Sequence, residues 1–289
     1  GPLIVSFFLV GPSGGGKSFF GRQLKVQLSK FGPAFLRHIS AHNRASNPGR
    51  TIERELERHI RACMAEYALM LKDNPQLPFP IVLILIDEVD HASWKFYECF
   101  RHVLDPDHPH IEISVGKLGE TKILELPKGW SFMFMWTPNA CGDQLLLQQP
   151  TAAQPDKYTR DWQAVHSRIC APMGTHDSIK RRVMTHSGKS ESIVLLYRLD
   201  GESKVQRCMV ALGHAYQTFR LEANVTLFWA AGSERALAEW PEDHTPVFTQ
   251  LTNELSRVAG HLSDIAVQVT LHRNGSITIS PDHTVAQVR

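Results

Sequence analysis

The octet Gly11-Pro12-Ser13-Gly14-Gly15-Gly16-Lys17-Ser18 constrains this chain more than any other segment. It matches the spacing G-x-x-x-x-G-K-[ST] in full. Before it stands Ile4–Val10, an apolar, β-branched and aromatic run that is too short for a helix and reads as a buried strand. After it comes a helical stretch from Lys17 to about Lys30, carrying Phe19, Phe20, Leu24, Val26 and Leu28. A glycine-rich turn in that setting lets successive backbone N–H groups converge on one anion at a helix N-terminus, where the dipole already favours negative charge. Lys17 would neutralise terminal phosphates there, and the Ser18 hydroxyl would offer an oxygen to Mg²⁺.

A second segment points to the same place. Pro80 delivers the chain into IVLILI, the clearest buried strand of the sequence, which ends in Asp87-Glu88. Ligands of parallel sheets bind at the C-terminal strand edge, so this strand carries two carboxylates to it. Asp87 fits the role of metal holder and Glu88 that of general base toward an attacking water. A third strand, Ser131–Trp136, runs out through Thr137-Pro138 to Asn139, whose amide would orient that water.

The remaining pattern sets the organisation. Ile52–Leu71 has helical periodicity, Ser93–Leu104 reads as an amphipathic helix ended by Asp105-Pro106, and residues 111–126 read as a hairpin. Residues 141–160 read as an exposed loop, Ser178–Val183 as a basic helical piece, and Ile193–Leu199 as a fourth strand. Strand and helix in alternation mean a parallel α/β sheet, here an αβα domain over residues 1–200. Beyond it a helix from Val205 to about Leu221, a strand at Val225–Trp229, a helix over Pro246–Leu262 and a hairpin at Asn274-Gly275 read as a smaller mixed α+β domain, residues 201–289.

Composition narrows the class. At 289 residues, 43% hydrophobic and 21% charged, the chain can bury a core of its own. A net charge of +2 gives no global basic field for nucleic acid or membrane. Disordered, collagenous, membrane-spanning and disulfide-scaffold classes are excluded. Cys63, Cys99, Cys141, Cys170 and Cys208 are odd in number and lack zinc-ligand spacing, which points to a reducing compartment, the cytoplasm. No charged-then-apolar leader is visible, and the opening Gly1-Pro2 runs straight into the first strand, as in a piece cut from a longer protein.

Taken together, the strand into GPSGGGKS, then LIDEVDHA, a helix closing on VLD, a hairpin and a strand closing on TPN resemble an AAA+ ATPase module, most similar to the Clp-type disaggregases and torsins. The resemblance covers roughly residues 3–200. It implies ATP and Mg²⁺ as cofactors and a homo-oligomeric ring that remodels a protein partner. It implies that Lys17 and Ser18 are the Walker A pair, Asp87 and Glu88 the Walker B pair and Asn139 sensor 1. It also implies an arginine finger in Ser178–Val183, with Arg182 the first choice and Arg181 the second. Two departures stand out. Residues 38–80 hold no aromatic–glycine pore loop, Tyr67 lying inside the helix, and no residue but Arg289 offers itself as a sensor-2 arginine.

Two rival functions share the ATP residues. A nucleic-acid-translocating, helicase-like ATPase would use Arg160, Lys180 and Arg181 on single strands. A regulatory switch would bind ATP with little turnover, and the retained Glu88 speaks against it. His102, His108 and His110, around Asp105 and Asp107, match no helical or hairpin ligand spacing and read as surface loop residues. Trp94, Phe96, Tyr97 and Phe100 read as helix core.

Overall fold

The computed structural model describes residues 1–13, 15–41, 49–115, 120–139, 145–186, 190–198, 209, 213, 226–240, 247–259 and 266–281. The chain divides into two units, Gly1–Arg198 and Leu199–Arg289.

The first unit runs β1 (Leu3–Val10), α1 (Lys17–Leu28), β2 (Ala34–Ser40), α2 (Gly49–Asp73), β3 (Ile81–Asp87), α3 (Trp94–Glu98), β4 (His110–Val115), β5 (Glu120–Glu125), β6 (Ser131–Thr137), α4 (Lys157–Cys170), α5 (Asp177–Met184), β7 (Thr185–His186), β8 (Ser190–Glu191) and β9 (Ile193–Leu195). Five strands form one sheet in the order β2-β3-β6-β1-β9, every neighbouring pair parallel. Alternation along each strand sorts the core onto two faces. Phe8, Val10, Val82, Ile84, Ile86, Phe132, Phe134 and Trp136 face one side, against Ile52, Leu56, Ile60, Cys63 and Tyr67 of α2. That α2 stripe recurs every three or four residues, as a helix face must. Leu9, Leu83, Leu85 and Met135 face the other side, where α1 lays Leu24. Gly21 of α1 comes so close that a Cβ there would meet Met135 Cε at 2.9 Å. This is the α/β architecture expected from the sequence.

Several elements differ from expectation, among them the short strands β7 and β8, which the sequence reading did not anticipate. β2 has no counterpart in the sequence reading, and neither does α4, whose N-terminal part lies in the supposed loop 141–160. The helix expected over Ser93–Leu104 is α-helical only to Glu98. It continues as tighter turns, with Arg101 N–H bonded to Glu98 C=O at 3.0 Å and Asp105 N–H to His102 C=O at 3.2 Å, before Pro106 bars further helix. β9 stops at Leu195 because its partner β1 stops at Val10 to enter the glycine loop. Phe96, Tyr97 and Phe100 are buried around Trp136, whereas Trp94 is exposed and stacks on His176 at 4.3 Å.

In the second unit β10 (Thr226–Trp229), α6 (Ser233–Ala238), α7 (Val247–Ala259), β11 (Ala266–Leu271) and β12 (Ile277–Pro281) build a separate core on a three-stranded sheet ordered β10-β11-β12. β11 and β12 pair antiparallel across the expected turn, where Gly275 takes φ 81°. The helix expected over 205–221 lies outside the described residues at all but two single positions. No helix among the described residues is long and apolar enough to cross a membrane.

Candidate functional site at the carboxyl edge of the sheet

β1 feeds the glycine loop, of which Gly14 lies outside the described residues. Gly16 takes φ 89°, a left-handed conformation that glycine adopts without strain, and turns the chain into α1. Gly15 donates its N–H to Pro12 C=O at 2.9 Å, and a Cβ on Gly15 would sit 2.7 Å from that oxygen. Gly11 is packed against Leu196, the residue after β9, whose Cβ would lie 2.9 Å from a Cβ on Gly11. Lys17, the first residue of α1, is 5% exposed. Its ammonium donates to Gly11 C=O at 2.8 Å and Pro12 C=O at 2.9 Å, so the cation sits within the loop that precedes it. Ser13 is exposed and Ser18 half-buried at the helix start.

The acidic pair stands on the same edge, placed by strand register. Ser40 of β2 lies opposite Asp87 of β3, and Asp87 opposite Thr137 of β6. Thr137, fully buried, donates its hydroxyl to Asp87 Oδ1 at 2.7 Å. Glu88 N–H donates to the same oxygen at 2.9 Å, and His38 Nε2 lies 3.6 Å from Oδ2. Burial works against the Asp87 charge, but the His38 ring, the Thr137 hydroxyl and the Glu88 amide together outweigh it and hold the carboxyl below its usual range. Glu88 takes φ 59°, and no other non-glycine among the described residues has positive φ. Such a backbone costs about 1–3 kcal/mol, and here it turns the Glu88 amide back onto Asp87. Ser40 Oγ donates to Glu88 Oε2 at 3.0 Å.

β6 sits between the strand feeding the glycine loop and the strand bearing the acids, so its end falls between them. Asn139 is half-buried there, two residues beyond Thr137. The sequence reading missed Thr137, Ser40 and His38 as contributors. Thr137 was legible as the polar end of an apolar strand, but Ser40 and His38 become visible only once β2 is known to pair with β3.

The arginine helix α5 buries Ile179, Val183 and Met184. Arg182 is turned onto its own chain, with Nη2 2.7 Å from Asp105 Oδ2 and Nη1 donating to Arg101 C=O at 3.2 Å. Arg181 lies on the exposed face. His102 and His110, with Glu112, converge into one cluster despite their sequence spacing, because the turn after α3 folds back along β4.

No protein-family model matches the chain, and no curated protein matches it significantly in sequence. Among solved structures it is similar to the S. cerevisiae Hsp104–ADP complex, with a TM-score of 0.56 and 14% identity over 93% of this chain. The chain spans 44% of that protein's length. The likeness is one of fold alone: a parallel α/β sheet flanked by helices.

Proposed function

We propose that the chain is a Mg²⁺-dependent AAA+ ATPase module that acts as a homo-oligomer and couples hydrolysis to remodelling of a protein partner. The observation carrying this reading is the level placement of Ser40, Asp87 and Thr137 along the sheet edge that also holds the glycine loop and the buried Lys17. The Hsp104 structure is an ADP complex, and the shared fold supports a nucleotide at this edge. Loop amides and Lys17 would hold the phosphates. The Ser18 hydroxyl and the Asp87 carboxylate are an all-oxygen donor set of the kind Mg²⁺ takes, and the bound ion would offset phosphate charge. Glu88 would accept the proton of the attacking water, and Asn139 would orient that water.

Arg182 is engaged with Asp105, so we assign it to holding α5 in place and assign to Arg181, on the exposed face, the contact with a neighbouring copy's nucleotide. The test is a pair of variants. Lys17→Ala should lose ATP binding in a titration, because the cradle loses its buried cation. Glu88→Gln should bind ATP while turnover falls ~10²–10⁴-fold. Undiminished ATP affinity in Lys17→Ala would overturn the reading. Turnover stimulated by single-stranded nucleic acid but not by protein fractions would replace the protein partner with a nucleic-acid track.

A further inference from the structure

We propose that His102, His110 and Glu112 form a zinc site on the outer face of the β4–β5 hairpin. The proposal stands whether or not the sheet edge binds nucleotide. Alternation along β4 buries Ile111 and Ile113 and places His110 and Glu112 together on the opposite face. The turn after α3 adds His102, fixed there by a backbone bond from His110 N–H to His102 C=O at 3.2 Å. One ligand atom from each of the three side chains lies within 4.8 Å of the others.

The ring nitrogens decide the chemistry. His110 Nδ1 lies 2.7 Å from the His108 carbonyl, which can only accept, so Nδ1 carries the hydrogen. Histidines that bind metals are held in this way, with one nitrogen donating to a carbonyl and the other left as ligand. His110 Nε2 then faces Glu112 Oε1 at 3.3 Å, while His102 Nε2 faces Oε2 of the same carboxylate at 3.7 Å. With Nδ1 carrying the hydrogen, Nε2 is the His110 nitrogen left to coordinate, and a cation between the two rings and the carboxylate would be met by all three side chains. With bonds of about 2.0–2.1 Å, tetrahedral zinc spaces its ligand atoms about 3.3 Å apart, which His110 Nε2 and Glu112 Oε1 meet, while His102, whose ligand atom lies within 4.8 Å of the other two, would move in on binding. Glu125, opposite His110 on β5, adds negative charge to the same face. Two imidazoles and a carboxylate suit zinc over magnesium or calcium, and three protein ligands leave a fourth position for water.

The experiment titrates zinc chloride into the metal-free full chain by calorimetry, with cobalt(II) absorption as an independent readout. Wild type and His108→Ala, which keeps the His108 carbonyl, should bind one tight equivalent more than His102→Ala/His110→Ala. At that site the double variant should lose affinity by roughly 10²-fold or more, since even indirect ligand partners contribute 10–100-fold. Glu112→Gln, which keeps shape and removes charge, should weaken binding in the same direction, and it carries the test if the double variant fails to fold. Cobalt should give the intense visible bands of four-coordination in wild type and lose them in both variants. Equal zinc stoichiometry and affinity across wild type and variants would overturn the site, as would a wild-type cobalt spectrum no different from the hydrated ion.

Discussion

Replacing Arg182 and Asp105 singly and together decides whether Arg182 is a clamp within its own chain. The two side chains are 26% and 22% exposed and meet at 2.7 Å. Fully exposed pairs contribute about 0.2–1 kcal/mol, and buried charged hydrogen bonds about 1.5–3. A pair three-quarters buried should therefore show a coupling of about 1 kcal/mol. Arg182→Ala also abandons the Arg101 carbonyl, so it should cost about 2 kcal/mol in all. Asp105→Asn should cost less, because the amide oxygen still accepts from Asp107 and His108 N–H. Urea unfolding of the four proteins gives the coupling, and ~1 M salt should weaken it only in part, because the pair is in direct contact and largely buried. Burial opposes the Asp105 charge, but the Asp107 and His108 amides and Arg182 hold its carboxyl below the usual range. Its contribution is thus complete above the unfolded carboxylate pKa near ~3.9 and fades as pH falls through the lower folded value. Turnover separates the roles: Arg181→Ala should lose ~10³–10⁵-fold as a trans finger, and Asp105→Asn far less. Additive single-site costs would refute the clamp. A finger-sized loss in Arg182→Ala with Asp105→Asn unaffected would make Arg182 the finger.

Thr137→Val deletes the hydroxyl bound to Asp87 at 2.7 Å and should cost about 1.5–3 kcal/mol at neutral pH. The Asp87 carboxyl then titrates closer to its usual range, so the gap from wild type should close as pH falls below that range; a pH-independent gap in urea unfolding would assign the loss to packing alone. Gly15→Ala places a methyl 2.7 Å from Pro12 C=O, backbone that cannot swing aside, and should lower stability by about 1–3 kcal/mol together with ATP affinity; an unchanged melting temperature would show a looser loop. Ser40→Ala frees Glu88 Oε2 from its donor and should raise basal phosphate release several-fold at constant ATP affinity, whereas a fall would show that Ser40 aims the carboxylate.

What was legible in the sequence follows from where the information lies. β1, β3 and β6 are buried on both faces and announce themselves as unbroken apolar runs, so the sheet centre and its edge motifs could be read directly. β2 is an outer strand whose Arg37, His38 and Ser40 break the apolar run, and only its pairing with β3 makes it a strand. α4 begins after a Gln- and Pro-rich stretch with no capping residue bonded at its start, which hid its onset. The His102–His110–Glu112 cluster is invisible to spacing because a turn, rather than a helix or hairpin period, closes it.

One polar residue inside β1 has a role that the run IVSFFLV does not reveal. Ser6 is 3% exposed, and a lone hydroxyl in that core would cost about 1–3 kcal/mol if left unpaired. It is paired twice: Trp136 Nε1 donates to Ser6 Oγ at 2.8 Å, and Ser6 Oγ donates to Val183 C=O at 2.7 Å. Trp136 is the residue before Thr137, which holds Asp87, and Val183 is the residue after Arg182. The two bonds therefore fix three things to one another through the core: the strand end beside the acids, the strand feeding the glycine loop, and the helix bearing Arg181. Apolar contacts alone allow a helix to slide along a sheet, whereas two directional bonds in a dry core allow one register. Under the proposed function, which needs the glycine loop, the carboxylate pair and the arginine helix set against one another, Ser6 is the residue that supplies that register.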